Sequence, residues 1–323
     1  MSKDKKEITD NKEINKLLTQ YEKKYTVMKG IDIVIEPKIK SIYPLDFILD
    51  GGISQALGGH KIEFAGPESS GKTTIAMVVI GKYQELGKKC VFINAENSYD
   101  PMWAEILGID NKKIIVAKPN SLEEAGDMVL DMVKDFDLIV IDSVIALVPE
   151  EEIDKSLSDK AYASQAKVIS PLCRKLNRET SGGKTAIIFI NQVREKIGKV
   201  FGNPETTAGG RALKHFYDSR IWFRQGKPID LEKERIGMEI KMMCQKNKKG
   251  KPKRATIIDF YLDGRLDIKK SIFFAGIKFG VIQLVGKTYT FGDKNIVGQD
   301  NFRESLTDKE WDTLLKEVYK SMK

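Results

Sequence analysis

Apolar residues fall along this chain in two rhythms. Ile62-Glu63-Phe64-Ala65, Cys90-Val91-Phe92-Ile93, Leu138-Ile139-Val140-Ile141 and Ala186-Ile187-Ile188-Phe189-Ile190 are short, near-continuous runs rich in Ile and Val. A strand buried on both faces of a parallel sheet reads this way. Between the first two runs, Thr73–Leu86 is predicted to be helical and to stop at Gly87. From about residue 40 to 270, runs and helical stretches alternate, which predicts an α/β sheet with right-handed crossovers. The second rhythm is helical. Ile14, Leu17, Leu18, Tyr21 and Tyr25 recur at i, i+3, i+4, i+7 and i+11 among Lys and Glu, predicting an amphipathic helix within residues 1–30. Such a helix either packs on its own domain or docks on a neighbouring subunit. Near the other end, Gly276, Gly280, Gly286, Gly292 and Gly298 separate short apolar pieces, and Trp311, Leu314, Leu315 and Val318 stripe a final helix. Thr307 and Glu310 form its capping box. The expected organisation is an N-terminal helix and arm over residues 1–35, a mainly parallel sheet flanked by helices over 36–269, and a small α+β domain over 270–323.

Composition changes this picture little. Of 323 residues, 41% are hydrophobic and 31% charged, an ordinary globular balance. No apolar run is long enough to predict a membrane span. The opening Met1-Ser2-Lys3-Asp4-Lys5-Lys6 is charged and leads into no apolar stretch, so no secretory signal is expected. Cys90, Cys173 and Cys244 are odd in number and widely spaced, without a C-x-x-C pair. They read as small apolar fillers in a protein of the reducing cytoplasm rather than as a disulfide framework or zinc site. A net charge of +8 points only weakly to a polyanionic partner; where the charge sits matters more.

Gly66-Pro67-Glu68-Ser69-Ser70-Gly71-Lys72-Thr73 satisfies G-x-x-x-x-G-K-[ST] between a predicted strand and a predicted helix. Glycines let backbone N–H groups wrap a phosphate, and the helix N-terminus adds partial positive charge. Lys72 is then placed to reach the β and γ phosphates, and the Thr73 hydroxyl to ligate Mg²⁺. The apolar strand 138–141 ends in Asp142-Ser143, so Asp142 is a second Mg²⁺-shell candidate. Glu96 stands just past the strand 90–93, at the edge where open α/β sheets bind ligands. By position alone it is either a general base for an attacking water or a surface glutamate.

These residues resemble one family closely, the bacterial-type RecA recombinases. The loop Gly66–Thr74, including Thr74, resembles that family's own phosphate loop, and similarity continues through Ala95-Glu96, Asp100-Pro101, Asp142-Ser143 and Phe189-Ile190-Asn191-Gln192. It is most specific at Phe201-Gly202-Asn203-Pro204-Glu205-Thr206-Thr207, followed by Gly209-Gly210 and Ala212-Leu213-Lys214. The resemblance implies a P-loop NTPase core of RecA type, with ATP and Mg²⁺ as cofactors. It implies filaments on single-stranded DNA, pairing with homologous duplex, and strand exchange coupled to DNA-stimulated ATP hydrolysis. Single-strand-binding and loader proteins are further implied partners. Glu96 matches the family's catalytic carboxylate, and Gln192 the glutamine that senses the γ-phosphate and couples it to the DNA loop that follows. Asp100 and Trp103 match adenine contacts, with Trp where the family commonly has Tyr. Lys246 and Lys248 match lysines that reach the ATP of the adjacent subunit; the alternative is a solvated basic loop, for which Lys249, Lys251, Lys253 and Arg254 also speak.

Two segments resemble the family's DNA-binding loops. Glu152–Gln165 leads into a helix bearing Lys167, Ser170 and Arg174; Val193–Arg211 holds Arg194, Lys196, Lys199 and Arg211 among Gly198, Gly202, Gly209 and Gly210. Both lack core periodicity, and long loops in compact domains usually serve function. Cations neutralise phosphates while glycines let the backbone approach the strand. Ile197, Phe201 and Thr206 belong to the same contact region. In the first segment Tyr162 takes a position where bacterial relatives carry Met, and an aromatic ring there can stack on bases. Pro171 is expected to kink the helix that follows. Arg224 and Lys241 match a secondary, duplex-holding site, weakened by Met243 at a neighbouring basic position. The end Lys320-Ser321-Met322-Lys323 carries no acidic run, so less self-inhibition of duplex binding is expected. Against a recombination mediator stand the intact Lys72, Glu96, Asp142 and Gln192. Against a ring helicase stands the Phe201–Thr207 string, and against a purely structural DNA-coating protein stands Glu96.

Overall fold

A computed structural model describes residues 2–25, 27–32, 37–143, 146–153, 164–195, 205–207 and 209–322. The chain divides into two compact units, Met1–Pro37 and Lys38–Lys323. The first holds α1 (Ser2–Glu22). Its stripe residues Ile14, Leu17 and Tyr21 are exposed, as is Tyr25 beyond the helix end.

The second unit opens with α2 (Tyr43–Ile48), every residue of which is buried. Next come β1 (His60–Gly66), α3 (Lys72–Glu85), β2 (Cys90–Asn94) and α4 (Pro101–Ile106). They are followed by β3 (Ile114–Ala117), α5 (Leu122–Met132), β4 (Leu138–Asp142) and α6 (Glu150–Ile153). Then come α7 (Ser164–Thr180), β5 (Ala186–Glu195), β6 (Glu205–Thr207) and α8 (Gly210–Phe216). Strands β7 (Ser219–Leu231), β8 (Glu234–Asn247) and β9 (Ala255–Tyr261) precede α9 (Ile268–Lys278). The end is β10 (Gln283–Val285), β11 (Thr288–Phe291), β12 (Lys294–Val297), α10 (Gln299–Ser305) and α11 (Asp308–Ser321).

The large sheet runs β3-β2-β4-β5-β1-β7-β8-β9, with β6 paired antiparallel to the end of β5. From β3 to β7 every neighbour is parallel; β7, β8 and β9 are antiparallel. The expected mainly parallel α/β sheet is therefore present. The four apolar runs are its centre, and β1, β2 and β4 are buried along their whole length. Alternate side chains go to opposite faces, as the strand period requires. Phe64, Phe92, Val140 and Ile188 join one apolar layer with α2, α3, α9 and α11. Val91, Ile93, Ile139 and Phe189 join the other with α5, α7 and α8. Cys90, Cys173 and Cys244 are free thiols, all buried within these layers.

Helix α7 continues from Ser164 to Thr180 through Pro171. The glycine-separated pieces near the end form the antiparallel sheet β10-β11-β12. Gly286 and Gly292, at φ +61° and +58°, each take the first place of a two-residue turn. The capping box of α11 has both bonds, Thr307 Oγ1 accepting from Glu310 N–H and Glu310 accepting from Thr307 N–H. Near its end, Tyr319 Oη donates to Asp46 Oδ2 at 2.5 Å and so ties α11 to α2. Burial pushes the Asp46 carboxyl up to about 6, against the pull of that bond.

Candidate functional site

The C-terminal ends of β1, β2, β4 and β5 lie side by side. Register pairs Asn94 with Asp142 and Gly66 with Gln192. The phosphate loop leaves this edge between β1 and α3. Gly71, the N-cap of α3, has φ +88°, and a Cβ there would stand 2.4 Å from Ile240 Cδ1. A Cβ on Gly66 would meet the Phe223 carbonyl oxygen at 2.5 Å. Both positions need glycine, for space and, at Gly71, for the left-handed backbone. Ser69 also has positive φ, +54°. Lys72 folds back over the loop, its Nζ donating to the Pro67 carbonyl at 2.6 Å. Burial lowers the Lys72 pKa, opposed by the nearby Asp142, Glu96 and Glu68 carboxylates. Thr74 follows within the first turn of α3.

Thr73 Oγ1 donates to Asp142 Oδ2 at 2.8 Å, across 69 positions of sequence. Ser98 Oγ donates to the same oxygen at 3.1 Å. Burial raises the Asp142 pKa, and Glu96 adds to the effect while the Thr73 bond opposes it. Glu96 is held from two sides: Ser143 Oγ donates to its Oε1, and its N–H donates to the Asp142 carbonyl at 3.0 Å. Lys72, Thr73, Asp142, Glu96 and Gln192 are thus brought to one edge. Asp100 has a local task there. It caps α4, accepting from the Met102 and Trp103 N–H groups at 2.8 and 3.2 Å. Trp103 meets Phe260 edge-on at 6.2 Å and is packed against the core.

The other predicted site residues lie elsewhere. Lys167, Ser170 and Arg174 share the less buried side of α7, opposite Ile169, Cys173 and Leu176. Lys167 has an exposed ion pair with Glu151 at 3.8 Å. Gly209 and Gly210 open α8 at φ +86° and +73°. Arg224 on β7 stands directly opposite Lys241 on β8. Lys246 Nζ donates to the carbonyls of Lys214 at 2.8 Å and Tyr217 at 2.5 Å, and Lys248 Nζ to that of His215 at 3.1 Å. Both ammonium groups therefore sit on the carbonyl end of α8, where cations are favoured. Burial, with Lys248 and Arg220 nearby, pushes the Lys246 pKa down to about 8. Tyr162, Lys196, Ile197, Gly198 and Phe201 lie outside the described residues, as do the side chains of Arg194, Thr206 and Arg211.

A family model for the RecA N-terminal domain matches residues 12–266. Protein RecA of Thermus aquaticus is 37% identical over 276 residues, covering 83% of this chain and 81% of the relative. Protein RecA of Mycoplasma mycoides is 38% identical over 296 residues, covering 89% and 85%. Protein RecA of Oceanobacillus iheyensis is 33% identical over 327 residues, covering 98% and 93%. The chain belongs to the RecA family. As a RecA-family protein it is an ATP-dependent recombinase of DNA recombination and repair.

In this RecA-family chain the residues at the sheet edge suit ATP and Mg²⁺. The loop holds Ser69 and Gly71 at positive φ, and Thr73 and Asp142 present hard oxygens. Among the described residues no cluster of three or more His, Cys, Asp or Glu forms a metal cage. Mg²⁺ does not need one: it is usually held by one or two carboxylates together with substrate phosphates and water. No helix of the described residues is long and apolar enough to cross a membrane.

Sequence reasoning missed several polar residues around the site. Ser98 and Ser143 hold the two carboxylates; Ser143 had a signal, since it directly follows the strand-end Asp142. Gln225 Nε2 donates to the Ser69 carbonyl at 2.9 Å and braces the loop from β7. Glu63 is fully buried and pairs with Arg220. Nothing local in the sequence marks that pair.

Proposed function

We propose that this recombinase assembles on single-stranded DNA as a filament, pairs it with homologous duplex and exchanges strands, with hydrolysis of ATP stimulated by DNA. The observation that carries the reading is the Thr73–Asp142–Glu96 arrangement beside Gln192, because β5 continues from Gln192 directly into the segment 193–211. A nucleotide sensor and a DNA grip on one strand suit a DNA-dependent ATPase.

In this reading Gly66, Pro67, Glu68, Ser69, Ser70 and Gly71 cradle the phosphates, and Lys72 exchanges the Pro67 carbonyl for a phosphate oxygen. Thr73 and Asp142 would hold Mg²⁺, which would supply charge neutralisation for the phosphoryl group in transfer. Glu96, oriented by Ser143, takes the proton of the attacking water. Gln192 bonds a γ-phosphate oxygen or that water without adding charge. Asp100 and Trp103 border the base. Lys246 and Lys248 leave the α8 carbonyls and reach the neighbouring subunit's nucleotide, as an arginine finger does. Residues of 193–211, with Lys167, Ser170 and Arg174, hold the strand, and Arg224 and Lys241 hold the duplex. We keep 1–35 as the arm that joins subunits and 270–323 as the small α+β domain, whose α9 and α11 pack on the same apolar layer as the sheet.

The test is ATP hydrolysis with and without single-stranded DNA, with Glu96→Gln alongside. Strong stimulation, abolished in Glu96→Gln while nucleotide-dependent DNA binding survives, is expected. Hydrolysis indifferent to DNA would overturn the reading in favour of a mediator or scaffold.

A further inference from the structure

Glu63 lies in the middle of β1 with its carboxylate fully buried. An isolated charge there would be strongly disfavoured. Both of its oxygens are engaged. Oε2 accepts from Arg220 Nε at 2.5 Å, and Oε1 accepts from Asn191 Nδ2 at 2.9 Å. Arg220, on β7, uses a second donor elsewhere: its Nη2 bonds Thr207 Oγ1 at 3.1 Å. The network therefore has two ends. Thr207 closes β6, the short strand that returns the segment after Glu195 to the sheet. Asn191 immediately precedes Gln192, which stands beside Gly66 at the start of the phosphate loop.

Burying an ion pair is a poor way to stabilise a fold. Desolvation consumes most of the attraction, and apolar residues of similar volume often serve as well or better. What the pair offers instead is geometry. The planar guanidinium presents its donors in a fixed fork, so the bond to Thr207 and the bond to Glu63 cannot move independently. Lysine, with a single nitrogen, cannot hold the same two partners in that geometry.

We propose that Arg220 is a positioning residue that couples the 193–211 segment to Gln192. This rests on the reading that the segment grips DNA. When the strand draws on the segment, Thr207 moves and the guanidinium re-seats on Glu63. The other oxygen of Glu63 carries the shift to Asn191, and so to the next residue, Gln192. Thr207, Arg220, Glu63 and Asn191 are joined by hydrogen bonds in this structure, and the last step to Gln192 runs along the backbone.

Coupling between two ligands is reciprocal, so it can be read from either side. The probe is a fluorescein-labelled oligothymidine, its affinity measured by anisotropy with and without a slowly hydrolysed ATP analogue. DNA stimulation of hydrolysis is measured in parallel. In the unaltered protein the analogue tightens DNA binding and DNA speeds hydrolysis. Arg220→Lys is expected to shrink both effects by about tenfold, within the usual range of such couplings, with analogue-free DNA affinity kept. Thr207→Val shrinks both as well, and Thr207→Ser, which keeps the hydroxyl, retains them. Equal coupling in Arg220→Lys and the unaltered protein overturns the proposal. So does a loss of analogue-free DNA affinity as large as the loss of coupling. If the unaltered protein shows neither effect, the DNA-stimulated reading fails first and the relay with it.

Discussion

The phosphate loop and the Lys246–Lys248 pair are both assigned to the same triphosphate chemistry, but they owe their present geometry to different things. The loop is shaped largely by its own backbone, with a brace from Gln225 on β7. Gly71 and Ser69 at positive φ, and the Lys72 ammonium on the Pro67 carbonyl, all fall within one short stretch of chain. The two lysines are placed by tertiary structure, their ammonium groups held by carbonyls of α8 about thirty positions earlier. A loop fixed by its own backbone is ready before ligand arrives. A long side chain parked on a helix end must be redirected, and its direction depends on what else is near. In the proposed reading the first half of the site is complete in one chain and the second half is completed by a neighbour.

The sharpest way to break this contrast is to mix two disabled chains. In the proposed reading Lys72→Ala removes a hydrogen-bond donor to the phosphates and Lys248→Ala a cation that acts across the interface. Each alone is expected to lower DNA-stimulated hydrolysis by about 10²–10³-fold or more. Mixed in equal amounts they should regain activity, because some interfaces pair an intact Lys72 with an intact Lys248. Phosphate release from the mixture no greater than from either parent would place Lys248 in its own subunit's site. A smaller effect tests the loop alone. Gly71→Ala puts a Cβ against Ile240 Cδ1 on a left-handed backbone and should cost about 1–3 kcal/mol in urea unfolding. An unchanged midpoint would mean the loop adapts more freely than its backbone implies.

Lys246 separates the two halves by pH. With its pKa pushed down to about 8, the ammonium is lost as pH rises through that value. That value belongs to the side chain parked on α8, so the effect is read as the pH dependence of urea unfolding without nucleotide, and Lys246→Arg should abolish it. The unfolded chain, with lysine near 10.5, holds the proton more tightly, so between about 8 and 10.5 this group makes the protein more stable as pH rises. Smallest of all, Thr307→Ala removes one cap bond of α11, far from both halves. It should lower stability by about 1 kcal/mol and leave hydrolysis untouched.

What was legible in the sequence follows the same division. The apolar runs at residues 62, 90, 138 and 186 became the sheet centre because a strand buried on both faces has little choice of residue. The phosphate loop and the Thr307–Glu310 cap were readable because their partners are a few positions apart. The antiparallel β7–β8 pair was not, since β7 passes from apolar Ile221-Trp222-Phe223 into polar Gln225-Gly226-Lys227 without an even alternation. Edge strand β3 is too short and exposed to stand out. Pro171 lies inside α7, which runs from Ser164 to Thr180. The Glu63–Arg220–Thr207 network joins residues up to 157 positions apart and requires the β1–β7 register, which no local pattern encodes.

Burial of the three cysteines has a practical chemical consequence. It pushes the Cys90 thiol up to about 12 and those of Cys173 and Cys244 up to about 11. Alkylating reagents attack the thiolate, and at neutral pH these groups supply almost none. A cysteine introduced on the surface of α8 or α7 would therefore take a maleimide dye ahead of all three. Fluorescent reporters can thus be attached to α7 and α8 with the native sulfur chemistry left intact.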